Sequence, residues 1–254
     1  MLSGVIKYAY FDLLRSRFIL AYTLLLFAST IALFQLDSDA GKVVLSLLNI
    51  VLMVVPLVSV VFTSIHFFNS YEFMELMLAQ PINRNTVFFG EYLAVVSSLC
   101  SAFLIGVGVP MIMFEAQNWM LLLTGTMLTT TFVSIAFLSS VLTRDKARAI
   151  GMALFLWLYF TLIYDGLLLW IVYTFSDYPL EKVTLAMIAL NPVDLARILM
   201  LLQLDISALM GYTGAFYREF FGTSVGMFFS FGTLMLWVVL PLLGALRVFN
   251  RRDW

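Results

Sequence analysis

Residues 69–85 read NSYEFMELMLAQPINRN, the only sizeable polar-bearing segment between the second and third long apolar runs of the chain. Residues 71–80 hold no Gly or Pro and consist mainly of good helix formers. Pro81 ends that helix, because the residue before a proline is pushed out of the α region. At about 100° per residue, Glu72, Glu75 and Ala79 share one narrow face and the remainder is apolar. A helix this short cannot cross a bilayer, which takes about 20 residues. Its wide apolar surface suits the membrane interface or a groove in a partner. Two readings stand: an interfacial helix that only links two spans, or a docking helix for a cytoplasmic partner.

Working outward, composition decides the class. The 254 residues are 63% hydrophobic and 11% charged, with a mean hydropathy of +1.02. Soluble domains are about 25% charged, so this is an integral membrane protein. Its net charge of −1 carries little information, because the distribution of charge matters here and the sum does not. Cys100 is the only cysteine and lies in an apolar run, which leaves no intrachain disulfide and no cysteine metal site. The 14 methionines are scattered through the spans and read as packing, not as a copper path.

The expected fold is all-α, one transmembrane domain over residues 1–254 with six spans. Residues 1–17 mix Lys7, Asp12, Arg15 and Arg17 with apolar side chains, as an amphipathic helix lying on the membrane does. The spans are residues 18–36, 43–68, 87–114, 120–142, 149–175 and 224–248. No small-residue cleavage site follows the first, which therefore reads as an uncleaved anchor. Pro56 interrupts the second span, and His66, the only histidine, ends it as an interfacial residue; Glu91 lies near the start of the third. Ten of the 14 Lys and Arg residues fall on the face with the termini. The positive-inside rule then places the termini, residues 69–85 and the loop TRDKAR (143–148) in the cytoplasm.

Residues 176–223 form a long insertion between spans five and six, on the outer side. Within it, Asn191, Pro192 and Asp194 make a helix start: an N-cap, a proline at the first position and an acid three residues after the cap. Leu195, Ile198, Leu199 and Leu202 form an apolar stripe, with Asp194 and Arg197 off it. A second helix is expected over 207–221. Together they read as a helical cap over the outer mouth, packing on the spans or also facing an extracytoplasmic partner.

Asp165 lies inside span five, in LIYDGLLLW, about 24 Å above Ala149. A carboxylate at mid-bilayer costs roughly 3 kcal/mol on insertion scales. It therefore needs a partner: a substrate path, a dimer seam, or a hydrogen bond from a neighbouring helix or the cap. Gly222, Gly226 and Ser230 give a weak small-xxx-small signal at the start of span six. No G-x-x-x-x-G-K-[ST] occurs, since Gly41-Lys42 is followed by Val43, and no G-x-S-x-G elbow occurs. The sequence therefore offers no catalytic residue and no metal site, and no nucleic-acid partner is expected. Six spans are few for a complete transporter, which suggests a dimer.

The helix 71–80 with Glu75-Leu76-Met77-Leu78-Ala79-Gln80-Pro81-Ile82-Asn83-Arg84 after span two resembles the permeases of type 2 ABC exporters. That family often reads E-x-G-T-L-E-x-L-L-x-x-P-x-x-R there. This chain has Glu72, Glu75, Leu76, Leu78, Pro81 and Arg84 in place, with Phe73-Met74 where the family has Gly-Thr. The buried Asp165, the NPVDLARILML start of the cap and the terminal arginines narrow the resemblance to permeases of the nitrous oxide reductase maturation system. The resemblance implies a homodimer in the bacterial inner membrane that contacts lipid and binds a cytoplasmic ATPase, which holds ATP and Mg. It also implies a periplasmic β-helical partner and a role in maturing the copper–sulfide centre. Glu72, Glu75, Leu76, Pro81 and Arg84 would meet the ATPase, Asp165 would lie in the transmembrane core or pathway, and Asn191, Pro192, Asp194 and Arg197 in the periplasmic region. Alternatives are a general type 2 exporter of lipid, drug or polysaccharide, and a membrane enzyme or scaffold that needs no ATPase.

Overall fold

The computed structural model describes residues 13, 15–37, 39–116, 118–176, 180–203 and 223–251. The amphipathic N-terminal helix (1–17, all but its last residues) and the helix expected over 207–221 lie outside them, as does Gly222. The described residues form helices joined by turns, with no strand among them. In chain order these are α1 (Arg17–Leu36), α2 (Ala40–Asn69), α3 (Tyr71–Leu78), α4 (Arg84–Met113) and α5 (Trp119–Leu142). They continue as α6 (Lys146–Thr174), α7 (Glu181–Ala189), α8 (Pro192–Gln203) and α9 (Ser224–Arg251). Six of them, α1, α2, α4, α5, α6 and α9, are long and apolar enough to cross a membrane.

Short polar residues start these helices where the apolar runs begin. Ser16 accepts from the Ile19 N–H, Asp39 from Gly41, Asn118 from Leu121 and Asp145 from Arg148, at 2.9–3.3 Å. Each satisfies one of the donors that a first turn leaves free. The turn after α4 closes as a Schellman motif: Ala116 N–H donates to Met111 O at 3.0 Å and Glu115 N–H to Ile112 O at 3.2 Å. Glu115 takes the left-handed conformation there, φ 54°, that glycine usually supplies. Pro56 does not break α2, which runs through it with the proline buried. Membrane helices accept this where neighbouring helices enclose the freed carbonyl.

α5 is the axis of the bundle. It carries no charged residue on any side, as suits a helix enclosed by others, and it packs against α2, α4, α6, α8 and α9. About 67% of its central window is buried, against 11% for α6, so α6 lies at the periphery with one whole side uncovered. Close approach is local. A Cβ at Gly125 would overlap the Phe103 ring, and one at Gly106 would sit 2.8 Å from the Leu26 Cβ and 3.0 Å from the Thr23 carbonyl. Phe67, Tyr92 and Phe249 pack edge-on or tilted around Phe88 and Phe137, joining α2, α4, α5 and α9 at the α3 end of the bundle.

α7 and α8 meet at a sharp corner, 109° between their axes. Phe160 of α6 stacks edge-on against Phe132 of α5 and Trp237 of α9, each midway along its own helix. Trp237 Nε1 donates to Ala189 O at 3.3 Å and Asn191 Nδ2 to Phe160 O at 2.9 Å. The corner therefore sits about 20 Å along α9, at mid-height of the bundle. Residues 180–203, the described part of the insertion in which the sequence suggests a cap, pack among the spans at that level. The cause is the stripe Leu195, Ile198 and Leu199, which is buried against the bundle together with Val193, Ala196 and Met200.

Candidate functional site

Two sites emerge, one at each half of the bundle. The first is α3 and its surroundings. α3 starts straight after α2, with Ser70 between them: Ser70 N–H donates to His66 O and Met74 N–H to Ser70 O, both 2.9 Å. The helix ends at Leu78, two residues earlier than the sequence suggests, and Ala79 and Gln80 form the turn before Pro81. Met74 is its only buried residue. Glu72, Phe73, Glu75, Leu76, Ala79, Gln80 and Pro81 are exposed, Leu76 by 68%. Among the described residues neither Glu72 nor Glu75 makes an ion pair. Two carboxylates without a cation thus border two outward-facing apolar side chains, a combination that suits a partner's groove bearing cations.

Polar ties connect this segment to the spans around it. His66 Nε2 and Glu91 Oε2 lie 2.9 Å apart, joining α2 to α4. Lys146 Nζ donates to Asn69 Oδ1 at 2.8 Å, joining α6 to α2. Arg84 Nη1 donates to Asn250 O at 3.1 Å, and Asn250 Nδ2 donates to Asn85 Oδ1 at 2.8 Å, joining the start of α4 to the end of α9. Arg84 accordingly satisfies one of the last carbonyls of α9 and complements its negative dipole end. His66, which reads in the sequence as a lone interfacial residue, is half of a pair. Register carries a signal for it: His66 and Glu91 are about equally distant in sequence from Leu78. Two antiparallel helices bring such residues to the same height.

The second site lies where α6, α7 and α8 converge. A π-helical turn, Tyr159–Ile163, interrupts α6. One extra residue in a turn rotates the downstream side chains by roughly 100°, and here Phe160 and Tyr164 are buried. Tyr164 Oη donates to Met187 O at 2.7 Å. Asn191 is wholly buried: its Oδ1 accepts from Val193 N–H at 3.0 Å, as the N-cap the sequence suggests, and its Nδ2 also reaches Asp194 Oδ2 at 2.8 Å. Arg197 Nη1 donates to Asp194 Oδ1 at 3.0 Å and to Asp165 Oδ2 at 2.9 Å. Asp165 thus finds its partner on α8, one of the options that its position left open. Beside Pro192, which opens α8, all four of Asn191, Asp194, Arg197 and Asp165 form one network.

Asp165, Asp194 and Arg197 of that network line a cavity of about 250 Å³ whose other walls are Leu168, Leu169, Ile188, Ile198 and Leu201. The side chains of Asp165 and Arg197 are 29% and 34% exposed, against 6% for Asp194. Asp165 and Arg197 therefore stand at the accessible side of the cavity and Asp194 deeper in it. Such an arrangement can hold a polar group in apolar surroundings; it contains no nucleophile–base pair. Among the described residues no group of three His, Cys, Asp or Glu is placed to hold a metal ion. Ser230 and Gly226 face the protein, with Ser230 Oγ donating to Gly226 O at 2.8 Å.

Residues 50–254 match the family described as "ABC-2 family transporter protein". The chain is similar to a protein of Pseudomonas aeruginosa described as "Probable ABC transporter permease protein NosY". They are 28% identical over 224 residues, covering 79% of this chain and 81% of that one. A protein of the same description from Stutzerimonas stutzeri is 23% identical over 276 residues, covering 95% of each chain.

Proposed function

We propose, from the premise that this chain belongs to the ABC-2 transporter family, that it is the non-catalytic permease subunit of an ATP-driven assembly. In this reading α3 is the docking helix for a separate cytoplasmic ATPase, which holds ATP and Mg. Membership in the family implies a partnering ATPase subunit, and six apolar helices make this a multi-pass membrane protein. The observation that carries the docking assignment is the outward-facing set Glu72, Phe73, Glu75 and Leu76 on a helix with one buried residue. A helix that merely lay on the bundle would turn those apolar side chains inward.

The α3 end is then cytoplasmic and the α7–α8 corner enters from the opposite face, in the bacterial inner membrane. Two copies assemble through surfaces such as the uncovered side of α6. The 176–223 insertion meets a periplasmic β-helical partner, and the assembly serves maturation of the copper–sulfide centre of nitrous oxide reductase. The names of the two relatives and the sequence resemblance support this finer role. A second reading, a general ABC-2 exporter of lipid, drug or polysaccharide, is favoured by the cavity at Asp165 and Arg197. Mild-detergent pull-down of the tagged chain from native membranes separates them. An ATPase together with a periplasmic β-helical protein supports the maturation role, and an ATPase alone the general exporter. Neither, from a folded sample, overturns the docking assignment.

A further inference from the structure

Met74 is the only fully buried side chain of α3, with Met77 and Leu78 partly buried against the same core, so burial alone holds α3 lightly to the spans. Near its root lies the pair His66–Glu91, which closes 25 residues of chain and joins the helix before α3 to the helix after it. Glu91 is 4% exposed, in a bundle otherwise built mainly of apolar side chains. Ser70 Oγ, at the joint itself, lies 3.3 Å from His66 Nε2, and the imidazole stacks on Phe62 at 6.0 Å. Burying a carboxylate and an imidazole is a poor way to gain stability, since apolar side chains of the same volume generally pack as well or better. What the pair supplies is a fixed geometry: while it holds, α2 and α4 move as one body when α3 is displaced. Without it, α3 can swing about Ser70 and Asn83 and leave the spans behind.

We infer that His66 and Glu91 are positioning residues for energy coupling, forming the joint through which movement of the docking helix reaches α2 and α4 together. The inference rests on the docking reading of α3. Neither residue would touch the ATPase; Glu91 is buried and acts through His66.

The test uses the full chain, copurified with its ATPase and reconstituted into vesicles. A Cys100→Ser background carries spin labels at Tyr173→Cys and Val225→Cys, exposed positions on α6 and α9 far from α3. Three things are measured: ATPase retention, ATP hydrolysis and the ATP-driven change in the inter-label distance distribution. In Glu91→Leu and in the double change His66→Leu/Glu91→Leu, we expect retention and hydrolysis to persist. The ATP-driven population shift should fall at least about threefold. Glu91→Gln, which keeps an acceptor for the imidazole N–H, should retain most of the shift. The double change guards against a folding defect, because two apolar side chains can pack where one would strand its partner. A full shift in the folded double variant overturns the inference while leaving the docking reading intact. Loss of ATPase retention in the double variant also overturns it, since the pair would then be shaping the docking surface. If the wild-type background itself retains no ATPase, the docking reading fails and takes the joint with it; retention without any ATP-driven shift leaves docking standing and overturns the joint.

Discussion

Asn191 donates its side-chain N–H to the Phe160 carbonyl at 2.9 Å, which fixes a helix corner at the level of a π-helical turn in a neighbouring span. The bulge frees the local ladder to accept an outside donor, and the donor is the residue that also caps α8. Replacing Asn191 with Leu removes the cap, the inter-helix bond and a partner of Asp194 in one step. Thermal unfolding in detergent should show a loss of about 2–4 kcal/mol, from a cap worth about 1 and buried polar groups left unmet at about 1–3. Asn191→Asp, which keeps the cap acceptor but sets a second carboxylate against Asp194, should be no better tolerated.

The network at the cavity predicts an order. Arg197→Met leaves Asp165 and Asp194 without a cation and should be the most damaging, by about 1–3 kcal/mol after discounting for partial exposure. Asp165→Asn leaves the Arg197–Asp194 contact in place and should cost less. A double variant, Asp165→Asn with Arg197→Met, should fall short of the sum, because the two changes remove one shared interaction. Additive losses in melting experiments would show that the side chains do not interact.

On α3, Leu76→Arg and Glu75→Arg should leave melting within about 0.5 kcal/mol, as exposed substitutions do. Both should weaken ATPase capture by about tenfold or more, the effect of reversing charge or burying an unmatched cation in an interface. Quantitative pull-down against a folded control measures this, and unchanged capture by both variants would remove α3 from the contact. Met74→Ala should instead act on stability, by about 2–4 kcal/mol, because that side chain is buried.

Glu115 holds the left-handed position of a Schellman turn. Glu115→Gly should raise stability by about 1 kcal/mol, since glycine meets no Cβ clash there. The same exchange at Gly125 in reverse, Gly125→Ala, must displace the Phe103 ring and should lower the melting temperature. A neutral result at both positions would contradict these helix ends and the α4–α5 packing.

Periodicity and length made the six long helices, the short helix after the second and the start at Asn191 legible without coordinates. Hydropathy runs of bilayer length report burial of backbone hydrogen bonds, and that demand is local to each segment. Asp165 was legible as a residue in need of a partner, because an ionised group among Leu and Trp has a cost whatever surrounds it. Its partner was not, since Arg197 is brought there by the dip of α7–α8. Arg84 with Asn250 was likewise invisible as a pair, whereas His66 with Glu91 left only a faint signal in their similar spacing from Leu78.

The sequence by itself determined six helical membrane spans, a short helix after the second and a capped helix beginning at Asn191. Those are properties of single segments, set by propensity, capping and hydropathy. Only the tertiary structure decided that the capped helix is sunk to mid-height, that Asp165, Asp194 and Arg197 share a cavity, and that His66 meets Glu91. Each of these depends on how helices far apart in the chain are rotated and raised against one another. That rotation follows from the packing of shapes such as Phe103 over Gly125, which no single segment encodes.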